Sequence, residues 1–195
     1  GHVVRDRDVD DELLALLKAR PKVFFVETLW GERQAIYQGK PGWIDAPIVH
    51  DLLSPEEVTR LAESFSSTAS PAPAQRESAR RLLRNVATLN AAGVVLGLGT
   101  DTGGVTGGQY FGLASLIELE LMVNAGLTPA QVIVAATRNS AAILRLETLG
   151  TLAVGKSADF LVLDANPLDD IANVRRISSV YSRGVEMNRA ALRTR

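Results

Sequence analysis

The 195-residue chain is 46% hydrophobic and 22% charged, with a formal net charge of −1 and no cysteine. This is ordinary globular usage, too apolar and too evenly charged for intrinsic disorder, and near-neutrality gives no electrostatic reason to bind nucleic acid. Zero cysteine excludes a disulfide scaffold, a thiolate metal site and a cysteine nucleophile.

The chain opens Gly1-His2-Val3-Val4 without an initiator methionine, and reads as the interior of a longer protein. Gly1–Leu17 carries seven charges and no hydrophobic segment of the signal-peptide kind. Asp10–Arg20 predicts a helix, with Leu13, Leu14 and Leu17 on one face behind an acidic start. Val23–Val26 reads as a short strand buried on both faces. Trp30–Leu53, with Gly39, Pro41, Gly42 and Pro47, has no clean period and is expected to be a long loop. Ser54-Pro55-Glu56-Glu57 is a capping box opening the next helix, and Ser64–Ala74 reads as a surface linker.

Gln75–Ala92 is helical in pattern, and Val94–Leu98 is a second buried strand that ends at Gly99-Thr100-Asp101. Its parent run Ala91–Leu98 is the longest apolar stretch, broken by Gly93 and Gly97, where a bilayer span needs about 20 apolar residues. A glycine-rich loop, Gly103 to Gly112, leads into an apolar helix over Leu113–Ala125 closed by Gly126. Thr128-Pro129-Ala130-Gln131 repeats the capping-box arrangement for a helix to about Ala136, and Ser140–Leu146 is one more short helix. Beyond it the pattern changes: Phe160–Leu163 and Ser179–Ser182 read as strands, with Arg183-Gly184 as a turn. Residues 1–146 thus form an α/β part and 147–195 a smaller β part, whose end, Asn188–Arg195, is expected to be a solvated tail.

Several motifs imitate chemistry. Gly150-Thr151-Leu152-Ala153-Val154-Gly155-Lys156-Ser157 satisfies the P-loop spacing letter for letter, but a phosphate cradle needs a strand before it and a helix after it. Here a helix precedes and a strand follows, so a nucleotide-binding reading would require a helix beginning at Lys156. Gly97-Leu98-Gly99 lacks the third glycine of a dinucleotide loop at the right spacing. Asp6, Asp8 and Asp10 start like a calcium loop, yet Asp11 stands where the turn needs glycine and Leu17 where the bidentate glutamate belongs.

Asp101 is left with two readings of equal weight: an active-site group at the carboxyl end of a strand, or a cap on its own loop. His2 admits three: a ligand, a satisfied buried histidine, or the remnant of a purification tag. His50, beside Asp51 in the long loop, reads as exposed and non-catalytic.

A resemblance adds to this. Leu149-Gly150-Thr151-Leu152-Ala153-Val154-Gly155-Lys156-Ser157-Ala158-Asp159, running into Phe160–Asp164, resembles the C-terminal signature of the amidohydrolase superfamily of metal-dependent hydrolases. Ala136-Thr137-Arg138-Asn139-Ser140 before it and Asn166-Pro167-Leu168-Asp169-Asp170 after it are similar to the flanking segments of that signature. Gly97-Leu98-Gly99-Thr100-Asp101 resembles the end of the eighth barrel strand, and Glu118 to Pro129 the helix after it. The opening through Leu17 is similar to the sixth strand and its helix in prolidase-like and imidazolonepropionase-like members.

The fold this implies is α/β: the C-terminal part of a (β/α)8 TIM-type barrel, strands 6–8, within residues 1–146, followed by part of a small β-sandwich in 147–195. The family binds one or two divalent metals, usually zinc. Of its ligand set only His2, at the strand 6 position, and Asp101, at the strand 8 position, fall in this chain, Asp101 doubling as the catalytic proton carrier. Trp30, Tyr110 and the loop Thr102–Gly108 are the expected substrate-facing elements. The implied substrate is a small amide or dipeptide, or an N-acyl amino acid. The implied partners are the N-terminal half of the barrel, which this chain lacks, and a second copy of the chain.

There are departures. Leu116 stands two residues before Glu118, where members often carry histidine, and Glu27-Thr28-Leu29 replaces a common Pro-Thr-Leu. No H-x-H occurs anywhere, and a whole barrel takes about 250 residues, so the chain is expected to be inactive alone. A non-catalytic binding or structural module derived from a hydrolase is the alternative.

Overall fold

A computed structural model describes residues 1–37, 39–66, 71–103 and 110–192. The helices are α1 (Asp11–Lys18), α2 (Arg33–Ile36), α3 (Pro47–Leu52), α4 (Pro55–Ser66), α5 (Pro73–Ala91), α6 (Leu113–Asn124), α7 (Pro129–Val134), α8 (Ser140–Ile143) and α9 (Arg189–Leu192). The strands are β1 (Phe24–Glu27), β2 (Val95–Leu98), β3 (Phe160–Leu163), β4 (Ile177–Ser182) and β5 (Val185–Glu186). The fold is mixed α/β. Among the described residues no helix is long and apolar enough to cross a membrane.

β1 and β2 pair in parallel, Phe24 opposite Val95 through Glu27 opposite Leu98, and Gly99 N–H extends the ladder to the Glu27 carbonyl at 2.8 Å. A side chain at Gly99 would put its Cβ 2.5 Å from Val26 Cγ1, so glycine is what lets the strands close at this end. The strands were expected to be buried on both faces. Instead Phe24 is 41% and Val95 37% exposed, because among the described residues the sheet has only two strands. The opening residues form no strand: His2 N–H makes a single bond to the Val26 carbonyl, at 3.2 Å.

α6 is the centre of the core. Leu113, Ala114, Ile117, Leu121 and Met122 are all fully buried, as expected of a helix that is apolar nearly all round. Both capping boxes form: Ser54 N–H donates to Glu57 Oε2 at 2.8 Å, and Thr128 N–H to Gln131 Oε1 at 2.8 Å. Asp10 caps α1 through Leu13 N–H at 2.9 Å. Asp8 pairs with Arg81 and Arg84, so the acidic start serves the protein surface.

The stretch 30–53 is not an open loop. Short helical turns, Leu29–Glu32, α2, Gly42–Asp45 and α3, follow one another, because Trp30, Trp43, Ile44, Ile48 and Val49 anchor it in the core at irregular intervals. α7 continues through a π turn, Ala135–Asn139, into α8. The linker residues 67–70 and the chain end 193–195 lie outside the described residues. Of the expected solvated tail, α9 is anchored: Arg189 donates to the Ile177 carbonyl at 2.6 Å.

Residues 147–195 hold the antiparallel sheet β3-β4-β5. Phe160 stacks on Tyr181 at 4.5 Å, and the β4–β5 hairpin turns on Arg183 and Gly184, both at positive φ. Ile171 and Val174 are buried in the same apolar cluster as α6, and Arg175 pairs with Glu120 on that helix.

The segment Gly150–Ser157 is a structural turn. Lys156 donates to the Glu147 carbonyl, Ser157 N–H to the Thr148 carbonyl at 2.9 Å, and β3 follows with no helix at Lys156. A P-loop is thereby excluded. Gly150 sits at φ +85° with its Cα against the π turn: a Cβ there would lie 2.6 Å from Ala141 Cβ and 2.8 Å from the Thr137 carbonyl oxygen. Gly150→Ala is expected to cost about 2 kcal/mol or more, read as a lowered denaturation midpoint. An unchanged midpoint would show that the segment does not dock here.

Candidate functional site

His2 and Asp101 meet at the carboxyl end of the parallel pair. His2 Nε2 lies 3.9 Å from Asp101 Oδ2, with both side chains largely exposed. Each adopts a left-handed backbone, φ +67° and +54°, a conformation in which Asp and His are over-represented among non-glycine residues. The strained turn at Asp101 is supported by its neighbours: Thr100 Oγ1 accepts from Thr102 N–H at 3.3 Å and lies 2.7 Å from Thr102 Oγ1.

The other imidazole nitrogen, His2 Nδ1, lies 2.7 Å from Thr28 Oγ1. Thr28 immediately follows β1, so all three groups sit at one end of the ladder. An imidazole and a carboxylate are the donor types that divalent zinc accepts, and the pair fits as part of a ligand set. Among the described residues no group of three or more His, Cys, Asp or Glu is placed to hold a metal ion.

Beneath this surface lies an aromatic cluster. Trp30 packs on Trp43 at 6.1 Å and meets the edge of Tyr110 at 6.3 Å, with the Arg33 guanidinium 4.2 Å over the indole. Trp30 is only 2% exposed. Of the two aromatic residues expected to face substrate, Trp30 is covered by Arg33, Tyr110 and Trp43, and Tyr110 is partly open. Of the expected substrate-facing loop Thr102–Gly108, residues 104–108 lie outside the described residues. His50 is exposed.

Two buried carboxyls lie under the site. Glu118, fully buried in α6, accepts from Leu29 N–H at 2.6 Å through Oε1 and from Trp30 N–H at 2.7 Å through Oε2. Glu27, the last residue of β1, is equally buried, and among the described residues neither of its carboxyl oxygens has a hydrogen-bond partner. Burial, reinforced by the nearby Glu118 charge, pushes Glu27 up to about 8. Burial also raises Glu118, against the pull of its two backbone N–H donors. Both carboxyls are thus pushed up to about 8, and at neutral pH the buried pair retains a proton, with the two N–H donors to Glu118 favouring its ionised form over that of Glu27. In the sequence Glu27, Thr28 and Glu118 stand out only beside departures from the family pattern, not as site residues. The available signal was a pair of carboxylates, Glu118 and Glu120, within the largely apolar run Leu113–Met122.

The profile of the Amidohydrolase family matches residues 45–187, which include Asp101. The chain belongs to the amidohydrolase family. A 5-methylthioadenosine/S-adenosylhomocysteine deaminase of Halalkalibacterium halodurans is 31% identical over 129 residues, 63% of this chain and 28% of the deaminase. Among solved structures, a candidate prolidase from Bifidobacterium longum aligns with TM-score 0.63 and 28% identity over 93% of this chain and 40% of its own. A Xaa-Pro dipeptidase with methionine bound in its active site aligns with TM-score 0.60 at 18% identity, over 92% of this chain and 37% of its own, a likeness of fold alone. This amidohydrolase chain thus spans well under half of each of these relatives. Enzymes of the family generally use divalent metals.

The Glu27 proton makes stability depend on pH. The unfolded chain releases it near 4.5 and the folded protein holds it to about 8, so stability is full below pH ~4.5 and declines as pH rises toward 8. Glu27→Gln keeps the shape without the titration. The variant is expected to flatten that decline, gaining roughly 3–4 kcal/mol relative to the native chain between pH 5 and 8. Chemical denaturation at several pH values checks this, and parallel pH profiles for the two proteins would refute it.

Proposed function

We propose that this chain carries part of the active site of a metal-dependent hydrolase that cleaves an amide or related C–N bond. The single observation that carries the reading is the approach of His2 Nε2 to within 3.9 Å of Asp101 Oδ2 across the mouth of the parallel pair. In this reading β1 and β2 are barrel strands 7 and 8, His2 closes strand 6, and β3–β5 belong to the small sandwich of 147–195. Catalytic zinc normally takes three protein ligands, so the rest come from barrel strands outside these 195 residues. The half-exposed Phe24 and Val95 on the two-stranded sheet support this.

His2 Nε2 and Asp101 would hold the metal, zinc by the chemistry of an imidazole–carboxylate set. When bound, it would supply polarisation of the scissile carbonyl and a lowered pKa for an attacking water. Asp101 accepts the proton of that water and returns it to the leaving nitrogen, first as general base and then as general acid. Its exposure leaves the carboxylate open to both. Tyr110, half-open above the buried Trp30, contacts substrate, and Trp30 acts by holding Tyr110 edge-on. The candidate prolidase neighbour supports a dipeptide or N-acyl amino acid as the substrate class.

Calorimetric titration with zinc, and assays on Xaa-Pro dipeptides and N-acyl amino acids, test the reading on the intact protein. His2→Ala and Asp101→Asn should each weaken zinc about tenfold or more, and Asp101→Asn should lower kcat about 100-fold or more. Unchanged zinc affinity in both variants overturns the metal site. Zinc binding with no turnover of any C–N substrate overturns the hydrolase and leaves a binding module.

A further inference from the structure

Thr28 occupies the N-cap position of the short turn Leu29–Glu32, where a threonine hydroxyl ordinarily accepts from the free N–H groups of the first turn. Here it does not: no side-chain cap bond is made by Thr28. The first two N–H groups, those of Leu29 and Trp30, are taken by the Glu118 carboxylate, reaching across from α6 at 2.6 and 2.7 Å. The Thr28 hydroxyl is released, and lies 2.7 Å from His2 Nδ1.

This arrangement is costly. Glu118 is fully buried beside a second buried carboxyl, that of Glu27, which has no hydrogen-bond partner among the described residues. A buried carboxylate loses its hydration, whereas the threonine already in place could take the Trp30 N–H without burying a charge. What the substitution of one cap for another gains is the free hydroxyl.

We infer that Glu118 is a positioning residue: by capping the turn after β1 in place of Thr28, it frees the Thr28 hydroxyl to hold His2 Nδ1 and turns Nε2 toward Asp101. The 2.7 Å contact admits either direction, and we assign the proton to Nδ1, donated to Thr28 Oγ1, which leaves the Nε2 lone pair outward. The partner of one ring nitrogen sets the role of the other. This inference rests on the reading of His2 as a ligand for its use, but not for its geometry.

The test reads the His2 ring without any metal. The chain has two histidines, and His50, exposed on α3, serves as the reference. With 15N-labelled histidine, at a fixed pH where the rings are neutral, the nitrogen shifts report which ring nitrogen holds the proton. Native His2 should favour Nδ1–H. Thr28→Val and Glu118→Gln should both move it toward Nε2–H, Thr28→Ser should keep the native pattern, and the double variant should move it no further than either single one. A folded Glu118→Gln with native His2 signals overturns the inference, as does an additive double variant. Should Glu118→Gln fail to fold, the native chain decides on heating. Release of the His2 ring at the temperature where the Leu29 and Trp30 amides lose exchange protection supports the link, and release well below it overturns it.

Zinc titration of the intact protein separates the two proposals. Glu118→Gln should bind zinc about tenfold more weakly. If the native protein binds no zinc while the His2 signals respond as described, the metal reading fails and the positioning role stands. Native zinc binding with unresponsive His2 signals gives the reverse.

Discussion

Everything placed at the candidate site hangs on the parallel contact between β1 and β2. Parallel strands end at the same edge of their ladder, so whatever follows Glu27 and Leu98 in sequence is brought to one place. The bond from Gly99 N–H to the Glu27 carbonyl carries the pairing to its last possible position. With any larger residue at 99 the strands would splay against Val26. Thr28 and Asp101 then emerge side by side, and the Val26 carbonyl, one residue before the edge, fixes the backbone of His2. Two strands and one glycine therefore set the spacing of three polar groups drawn from distant parts of the chain.

Holding those groups in usable orientations is a separate problem, and it is solved from beneath. α6 is the most buried helix, and its interior-facing carboxylate is the connection between core and surface. A neutral residue at 118 would pack better, but would leave two backbone N–H groups without acceptors or draw the Thr28 hydroxyl back to cap them. Glu27 is accommodated by keeping its proton, since two ionised carboxyls could not share so dry a space. Burial of charge here serves orientation at the expense of stability.

Much of the frame was legible in the sequence. Both capping boxes, the strands near 24–27 and 95–98, the apolar helix before Gly126 and the Arg183-Gly184 hairpin all rest on local signals, and local hydrogen bonds decide them. The loop over 30–53 was misread for the opposite reason, and the opening residues, likened to a sixth barrel strand, join no ladder among the described residues. Val3 is buried by contacts with remote residues without joining a ladder, and Trp43 and Ile44 are pinned by tertiary packing that leaves no period to see. His2 and Asp101 were singled out by resemblance rather than by pattern. Thr28 and Glu118 escaped because their meaning lies in bonds spanning 26 to 89 positions of sequence, while each taken alone reads as a strand-end threonine and an odd polar residue in a helix.

The two layers of the site also differ in what they can tolerate. His2 and Asp101 are exposed and sit in left-handed backbone, a conformation that costs a non-glycine residue about 1–2 kcal/mol and persists only where neighbours enforce it. The Thr100–Thr102 contacts do so for Asp101, and the Val26 and Thr28 contacts do so for His2. Glu118 and Glu27 lie where no solvent can relax an error. The outer pair can be exchanged at the expense of chemistry alone, whereas a change in the inner pair reaches the chemistry through the Leu29–Glu32 turn and the fold at the same time. A carboxylate kept at position 118 at that price is better explained by the orientation of His2 than by the stability of α6, which five fully buried apolar side chains already secure.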